Sequence, residues 1–86
     1  MKVVPTKIEG LVALEPTVFE DARGYFMESY KKEWFDANVA PTHFIQDNES
    51  KSTRGVLRGL HFQEGDYAQA KLVRVLQGEV LDVAVD

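Results

Sequence analysis

Eighty-six residues with no cysteine make room for one small domain that has neither a disulfide staple nor a thiolate metal site, as in a reducing compartment. A net charge of -4 with ten scattered Lys and Arg residues argues against the basic stripe of a nucleic-acid binder. No apolar run approaches the ~20 residues of a membrane span, and Met1 to Gly10 lacks the apolar core of a signal peptide.

These bounds predict a cytoplasmic protein. A domain this small buries only roughly 60 to 65% of its unfolded surface, so a partner subunit or further chain is expected to supply stability. Two short β-like runs come first, Lys2 to Val4 and Ile8 to Leu14, with Pro5 placed to interrupt pairing between them and Pro16 closing the section. Thr17 to Glu20 and Tyr25 to Tyr30 then read as a hairpin around Asp21-Ala22-Arg23-Gly24, whose glycine can take positive φ. In its second strand alternation places Phe26 and Glu28 on one face, and Tyr25, Met27 and Ser29 on the other. A surface glutamate beside an edge aromatic is the plainer reading of that pair. Lys31 to Asn38 is the one segment with helical character, stopped by Pro41, with Trp34 as its expected packing anchor. His43, which has no acidic or histidine neighbour at ligand spacing, reads as solvated or capping.

Most of the polar chemistry lies between Gln46 and Gln63. Gln46, Asn48, Ser50 and Ser52 alternate, so an extended backbone points them to one side of a sheet. Thr53, Arg54 and Gly55 signal a turn, and Val56 to Gln63 follows as a strand apolar enough to be buried that nevertheless carries Arg58 and His61. Burying an unpaired charge is expensive, so a ligand site is expected here. Strict alternation would turn Arg58 and His61 to opposite faces, but a bulge at Gly59 resets the parity. Glu64 to Ala68 reads as a loop. Gln69 to Gln77 and Glu79 to Asp86 read as strands, with Lys71 on the face of Val73 and Val75, where a lone lysine snorkels or meets an anion. With no turn or polar tail after Asp86, the chain reads as part of a longer domain or as one that pairs with a second copy.

No Gly-rich run leads into Lys and Ser or Thr before a helix, so a phosphate loop is absent. No serine near His61 sits in a strand-to-helix elbow. His61 and Gln63 with Glu64 alongside make a poor metal set, so neither a metal nor a cofactor is expected. His61, Arg58 and Lys71 remain. An imidazole near its ordinary pKa is the natural base at neutral pH, an ammonium stabilises a developing oxyanion, and a guanidinium holds a phosphate at two points. The set suits proton abstraction beside a ketone in a phosphorylated substrate; a salt-bridged arginine and a hydrogen-bonded structural histidine are the alternative.

Four stretches then make the chain recognisable: Asp21-Ala22-Arg23-Gly24-Tyr25-Phe26-Met27-Glu28; Gln46-Asp47-Asn48-Glu49-Ser50; Gly55-Val56-Leu57-Arg58-Gly59-Leu60-His61-Phe62-Gln63; and Gln69-Ala70-Lys71-Leu72-Val73 leading to Gly78 through Asp86. In this order they resemble the N-terminal half of the dTDP-4-dehydrorhamnose 3,5-epimerases, cupin-type enzymes of nucleotide-sugar metabolism. The resemblance implies an all-β fold, the N-terminal half of a jelly-roll barrel with one short helix, in which residues 1 to 86 form a single partial domain. It also implies metal-free inversion of C3 and C5 of dTDP-4-dehydro-6-deoxy-glucose on the way to dTDP-rhamnose. By the family pattern His61 is the base and Lys71 sits near the ketone oxygen. Arg58 and Arg23 hold the diphosphate, while Gln46, Asp47 and Asn48, with Phe26 and Glu28, line the nucleotide side. The resemblance further implies a homodimer whose N-terminal strands exchange, so that Arg23, Phe26 and Glu28 serve the partner's site.

The departure is length. Family members are about twice as long, and a complete jelly roll needs roughly eight strands. The family's acid tyrosine and the aspartate that pairs with its base lie in the second half, and Tyr67 and Asp82 do not match them. A noncatalytic sugar-nucleotide binding module, a truncated inactive fragment, and an epimerase acting at C3 only or a ketoisomerase are the competing readings.

Overall fold

The computed structural model describes residues 1–61 and 70–85. Its regular elements are four short strands and one helix: β1 (Lys2–Pro5), β2 (Val12–Glu15), β3 (Val18–Asp21), β4 (Gly24–Met27) and α1 (Lys32–Asn38). Strands thus dominate, with one short helix, as expected. The chain divides into two compact units, one comprising Met1–Thr42 and the chain from Val83, the other His43–Asp82. No described helix is long and apolar enough to cross a membrane.

β1 and β2 pair antiparallel, Lys2 opposite Glu15, Val3 opposite Leu14 and Pro5 opposite Val12. Opposite charges face each other at one end and two half-buried aliphatic side chains follow, both favourable cross-strand pairs. Pro5 does not separate the runs as anticipated. It occupies the last position of β1, where a missing N–H disturbs the ladder least. Thr6 organises the connection: its hydroxyl donates to the Leu11 carbonyl at 2.7 Å and accepts the Ile8 N–H at 3.2 Å.

β3 and β4 form the expected hairpin, with Val18 opposite Met27 and Phe19 opposite Phe26. Two-residue hairpin loops favour positive φ in the loop itself, but here no residue other than glycine has it, and Gly24 alone takes φ of 132°. β4 ends at Met27, so Glu28 lies just beyond the ladder and the second strand is shorter than its sequence indicates.

In α1 the anticipated anchor is displaced by one residue. Phe35, 7% exposed, is the buried apolar side chain among the described residues, whereas Trp34 is half-buried. The ring of Phe35 meets Tyr30 edge-on, centroids 5.6 Å apart at 60°, and its carbonyl accepts both the Val39 and Ala40 N–H groups that close the helix. Lys32 and Asp36, one turn apart, tie the following segment to the helix through Thr42.

The second unit departs most from expectation. The strands anticipated over Gln46 to Ser52, Val56 to Gln63, Gln69 to Gln77 and Glu79 to Asp86 have no paired neighbour among the described residues. Apolar runs encode a strand's preference, but a strand exists only when a neighbour accepts and donates its backbone hydrogen bonds. Burial fails for the same reason: Leu57 is 92% exposed and Val73, beside which Lys71 was expected to be covered, is 69% exposed. The expected loop Glu64 to Ala68, the strand ends at Gln63 and Gln69, Tyr67 and Asp86 lie outside the described residues. The turn at Thr53 to Gly55 is present. Val56 N–H donates to the Thr53 carbonyl at 3.3 Å, and Gly55 takes φ of 86°, as the third residue of a type II turn requires.

Candidate functional site

The sequence-derived site residues fall into two groups. Arg23, Phe26 and Glu28 belong to the first unit; Gln46, Asp47, Asn48, Arg58, His61 and Lys71 belong to the second. All are exposed.

In the first group the hairpin tip is ordered by one carboxylate. Asp21 Oδ1 accepts the Arg23 backbone N–H at 2.8 Å, an Asx turn of the kind short acidic side chains favour before a glycine. Its Oδ2 accepts from the same residue's guanidinium, from Nη2 at 2.6 Å and from Nε at 3.2 Å. The Arg23 guanidinium therefore holds the Asp21 carboxyl below the usual carboxylate range, and Asp21 in turn raises the guanidinium. Phe26 stands opposite Phe19, and Asp21, Arg23, Tyr25 and Phe26 border an open hollow of about 460 Å³ beside the turn. A guanidinium with aromatic rings alongside can bind an anion and stack against a planar ring system. Glu28, past the end of β4, does not line this hollow.

In the second group Gln46 and Asp47 join Phe44, Ile45 and Leu72 around an open hollow of about 370 Å³. This brings two of the predicted nucleotide-side residues next to the neighbour of Lys71 in sequence. Gln46 Nε2 donates to Asn48 Oδ1 at 3.5 Å, so these two amides share a side, as their alternation predicts. Arg58 turns back across the Thr53–Val56 turn, its Nη2 donating to the Lys51 carbonyl at 3.4 Å. Gly59 takes φ of 123°, a backbone state that breaks extended alternation between Arg58 and His61, with no paired strand among the described residues that would make it a bulge. Among the described residues neither His61 nor Lys71 has a hydrogen-bonded or ionic partner. No three acidic or histidine side chains among the described residues gather as a metal ion would need.

Sequence reasoning passed over Asp21 and the apolar members of the second hollow, Phe44, Ile45 and Leu72. Asp21 was legible in principle: an aspartate two residues before an arginine and three before a glycine is a turn signature that also places a carboxylate within reach of the guanidinium. The apolar lining carried no such local signal, because Leu72 lies far along the chain from Phe44.

Comparison with known proteins follows the same residues. Residues 5–86 match the family model described as dTDP-4-dehydrorhamnose 3,5-epimerase. A dTDP-4-dehydrorhamnose 3,5-epimerase of Shigella flexneri is 55% identical over 100% of this chain and 48% of its own length. A protein of the same name from Methanothermobacter thermautotrophicus is 52% identical over 99% of this chain and 45% of its own. A dTDP-4-dehydrorhamnose 3-epimerase of Streptomyces niveus is 40% identical over 100% of this chain and 42% of its own. The chain thus spans about half the length of the curated relatives it matches.

Proposed function

Because the chain belongs to the dTDP-4-dehydrorhamnose 3,5-epimerase family, we propose that it carries the base half of that reaction: inversion of C3 and C5 of dTDP-4-dehydro-6-deoxy-glucose in dTDP-rhamnose biosynthesis. The family match over residues 5–86 carries this reading, since every candidate site residue falls within it.

In the proposed chemistry His61 removes the proton from a carbon beside the C4 ketone. The electron pair left behind moves into the carbonyl, giving an enolate whose oxygen the Lys71 ammonium stabilises. A proton returned from the opposite face to the same carbon restores the ketone with inverted configuration. Arg58 and Arg23 hold the diphosphate; Gln46, Asp47, Asn48, Phe26 and Glu28 line the nucleotide. The hollow bordered by Gln46 and Asp47 and the aromatic-flanked guanidinium at the hairpin tip support these assignments. The base and the oxyanion stabiliser lie in one unit and the hairpin residues in the other. A cytoplasmic homodimer exchanging N-terminal strands, built as a jelly roll of which residues 1 to 86 form the first half, would cover the exposed apolar side chains and complete the ladders.

The test is proton NMR of dTDP-4-dehydro-6-deoxy-glucose with the protein in heavy water, with His61→Ala as the control. Loss of the C5 and C3 proton signals that depends on His61 supports the proposal. Persistence of both signals while nucleotide resonances still broaden would reduce the chain to a binding module. Loss of the C3 signal alone would favour the second reading, a C3 epimerase, for which the Streptomyces niveus relative is the precedent.

A further inference from the structure

The guanidinium of Arg23 offers five N–H donors in a fixed planar fork. Asp21 Oδ2 takes the Nε hydrogen and one Nη2 hydrogen, at 3.2 and 2.6 Å. No other described residue accepts from this side chain, which is 90% exposed. The Nη1 pair and the second Nη2 hydrogen therefore remain open, and one hydrogen of each nitrogen lies along the adjoining Nη1–Nη2 edge. That edge matches two oxygens of a phosphate in the two-point geometry that makes arginine effective toward phosphates. Asp21 is itself fixed from behind, since its other oxygen accepts the Arg23 backbone N–H at 2.8 Å and its residue ends β3 opposite Gly24. The carboxylate thus has one oxygen for the backbone of the turn and one for the side chain that leaves it.

We propose that Asp21 is the positioning residue for Arg23, holding the guanidinium by its Nε side so that the Nη1–Nη2 edge faces a nucleoside diphosphate. This rests on the reading that Arg23 binds the diphosphate. An exposed ion pair adds little to fold stability, and its effect lies elsewhere: an arginine free to rotate loses rotamer entropy on binding, whereas one already held loses less. The carboxylate does not compete for the ligand, because it occupies the edge that a two-point phosphate contact leaves unused.

Asp21→Asn separates the two jobs. The amide keeps an oxygen for the Arg23 N–H, but its nitrogen cannot accept from a guanidinium. The experiment is calorimetric titration of the chain and of its Asp21→Asn, Asp21→Glu, Arg23→Ala and doubly substituted forms with dTDP. It is paired with ¹⁵N relaxation of the Arg23 Nε–H in the unliganded protein and the Val18–Met27 cross-strand NOE as a check on the hairpin. The expected result is a loss of about 5-fold in dTDP affinity for Asp21→Asn, partial recovery in Asp21→Glu, and no further loss when Asn is added to Arg23→Ala. The Nε–H should gain mobility in Asp21→Asn while the NOE stays. If Arg23→Ala weakens binding but Asp21→Asn does not, or if the Nε–H is equally mobile with and without the carboxylate, the positioning role is overturned and the reading of Arg23 stands. If Arg23→Ala leaves dTDP affinity unchanged, that reading fails and the positioning role with it.

Discussion

Lys32 and Asp36 do more than pair across one turn of α1. Lys32 Nζ donates to Asp36 Oδ2 at 2.8 Å and to the Thr42 carbonyl at 2.8 Å, while Asp36 Oδ1 accepts the Thr42 N–H at 2.9 Å. Two side chains of the helix thereby satisfy both backbone groups of a residue beyond it, and the segment past Pro41 is tied to the helix.

Asp36→Ala removes the acceptor for a partly buried N–H and the partner of Lys32. It should cost about 1 to 2 kcal/mol, read as a lower denaturant midpoint with loss of helical circular dichroism. Lys32→Met, which removes the better exposed member of the pair, should cost less. An Asp36→Ala midpoint equal to that of the unsubstituted chain would show that Thr42 is held by other means.

The same clamp predicts a pH dependence. The hydrogen bond to Asp36, with the charge of Asp36 behind it, raises the Lys32 ammonium above its ordinary 10.5. A group raised on folding contributes stability that is complete below the unfolded value and disappears as pH rises through the folded one. Protection of the Thr42 amide should therefore persist through neutral pH and fall only in strongly alkaline solution. The Lys32 side-chain carbon signals should titrate later than they do in Asp36→Ala. A Lys32 titration that does not move in Asp36→Ala would contradict the clamp.

At the hairpin tip the sign is reversed. Arg23 lowers Asp21, so its contribution is present above the ordinary carboxylate value and is lost as pH falls through the lowered one. Arg23→Ala should move the Asp21 titration up, read by carboxyl carbon NMR. Both side chains are largely in solvent, so the global midpoint should scarcely respond.

Phe35→Ala empties the one buried apolar position among the described residues and removes the edge contact to Tyr30. A loss of about 3 kcal/mol is expected from comparable truncations, and Trp34→Ala should cost clearly less. The reverse order in thermal unfolding would return the anchor to Trp34.

Lys71→Met tests the proposed chemistry apart from the base. If its ammonium stabilises the enolate oxygen, exchange of the sugar protons into heavy water should slow by roughly 10²- to 10³-fold. The affinity for dTDP, which lacks the ketone, should change little. An equal loss in both measurements would make Lys71 a binding residue only.

The sequence by itself determined what depends on near neighbours. The β3–β4 hairpin, the Thr53–Gly55 turn and the short helix before Pro41 all follow from residues a few positions apart, whose φ preferences and side-chain bonds act locally. The same holds for the shared side of Gln46 and Asn48. The residue types behind the proposed chemistry, an imidazole, an ammonium and a guanidinium, are likewise read directly from the sequence. Tertiary structure alone decided two things: that Phe35 rather than Trp34 turns inward, and that Leu72 joins Phe44 and Ile45 around a hollow. It also decided that the apolar runs from Val56 onward stand unpaired among the described residues. Alternation is a property of one segment, but a strand and a buried face are properties of two, and the second is set by whatever packs against the first.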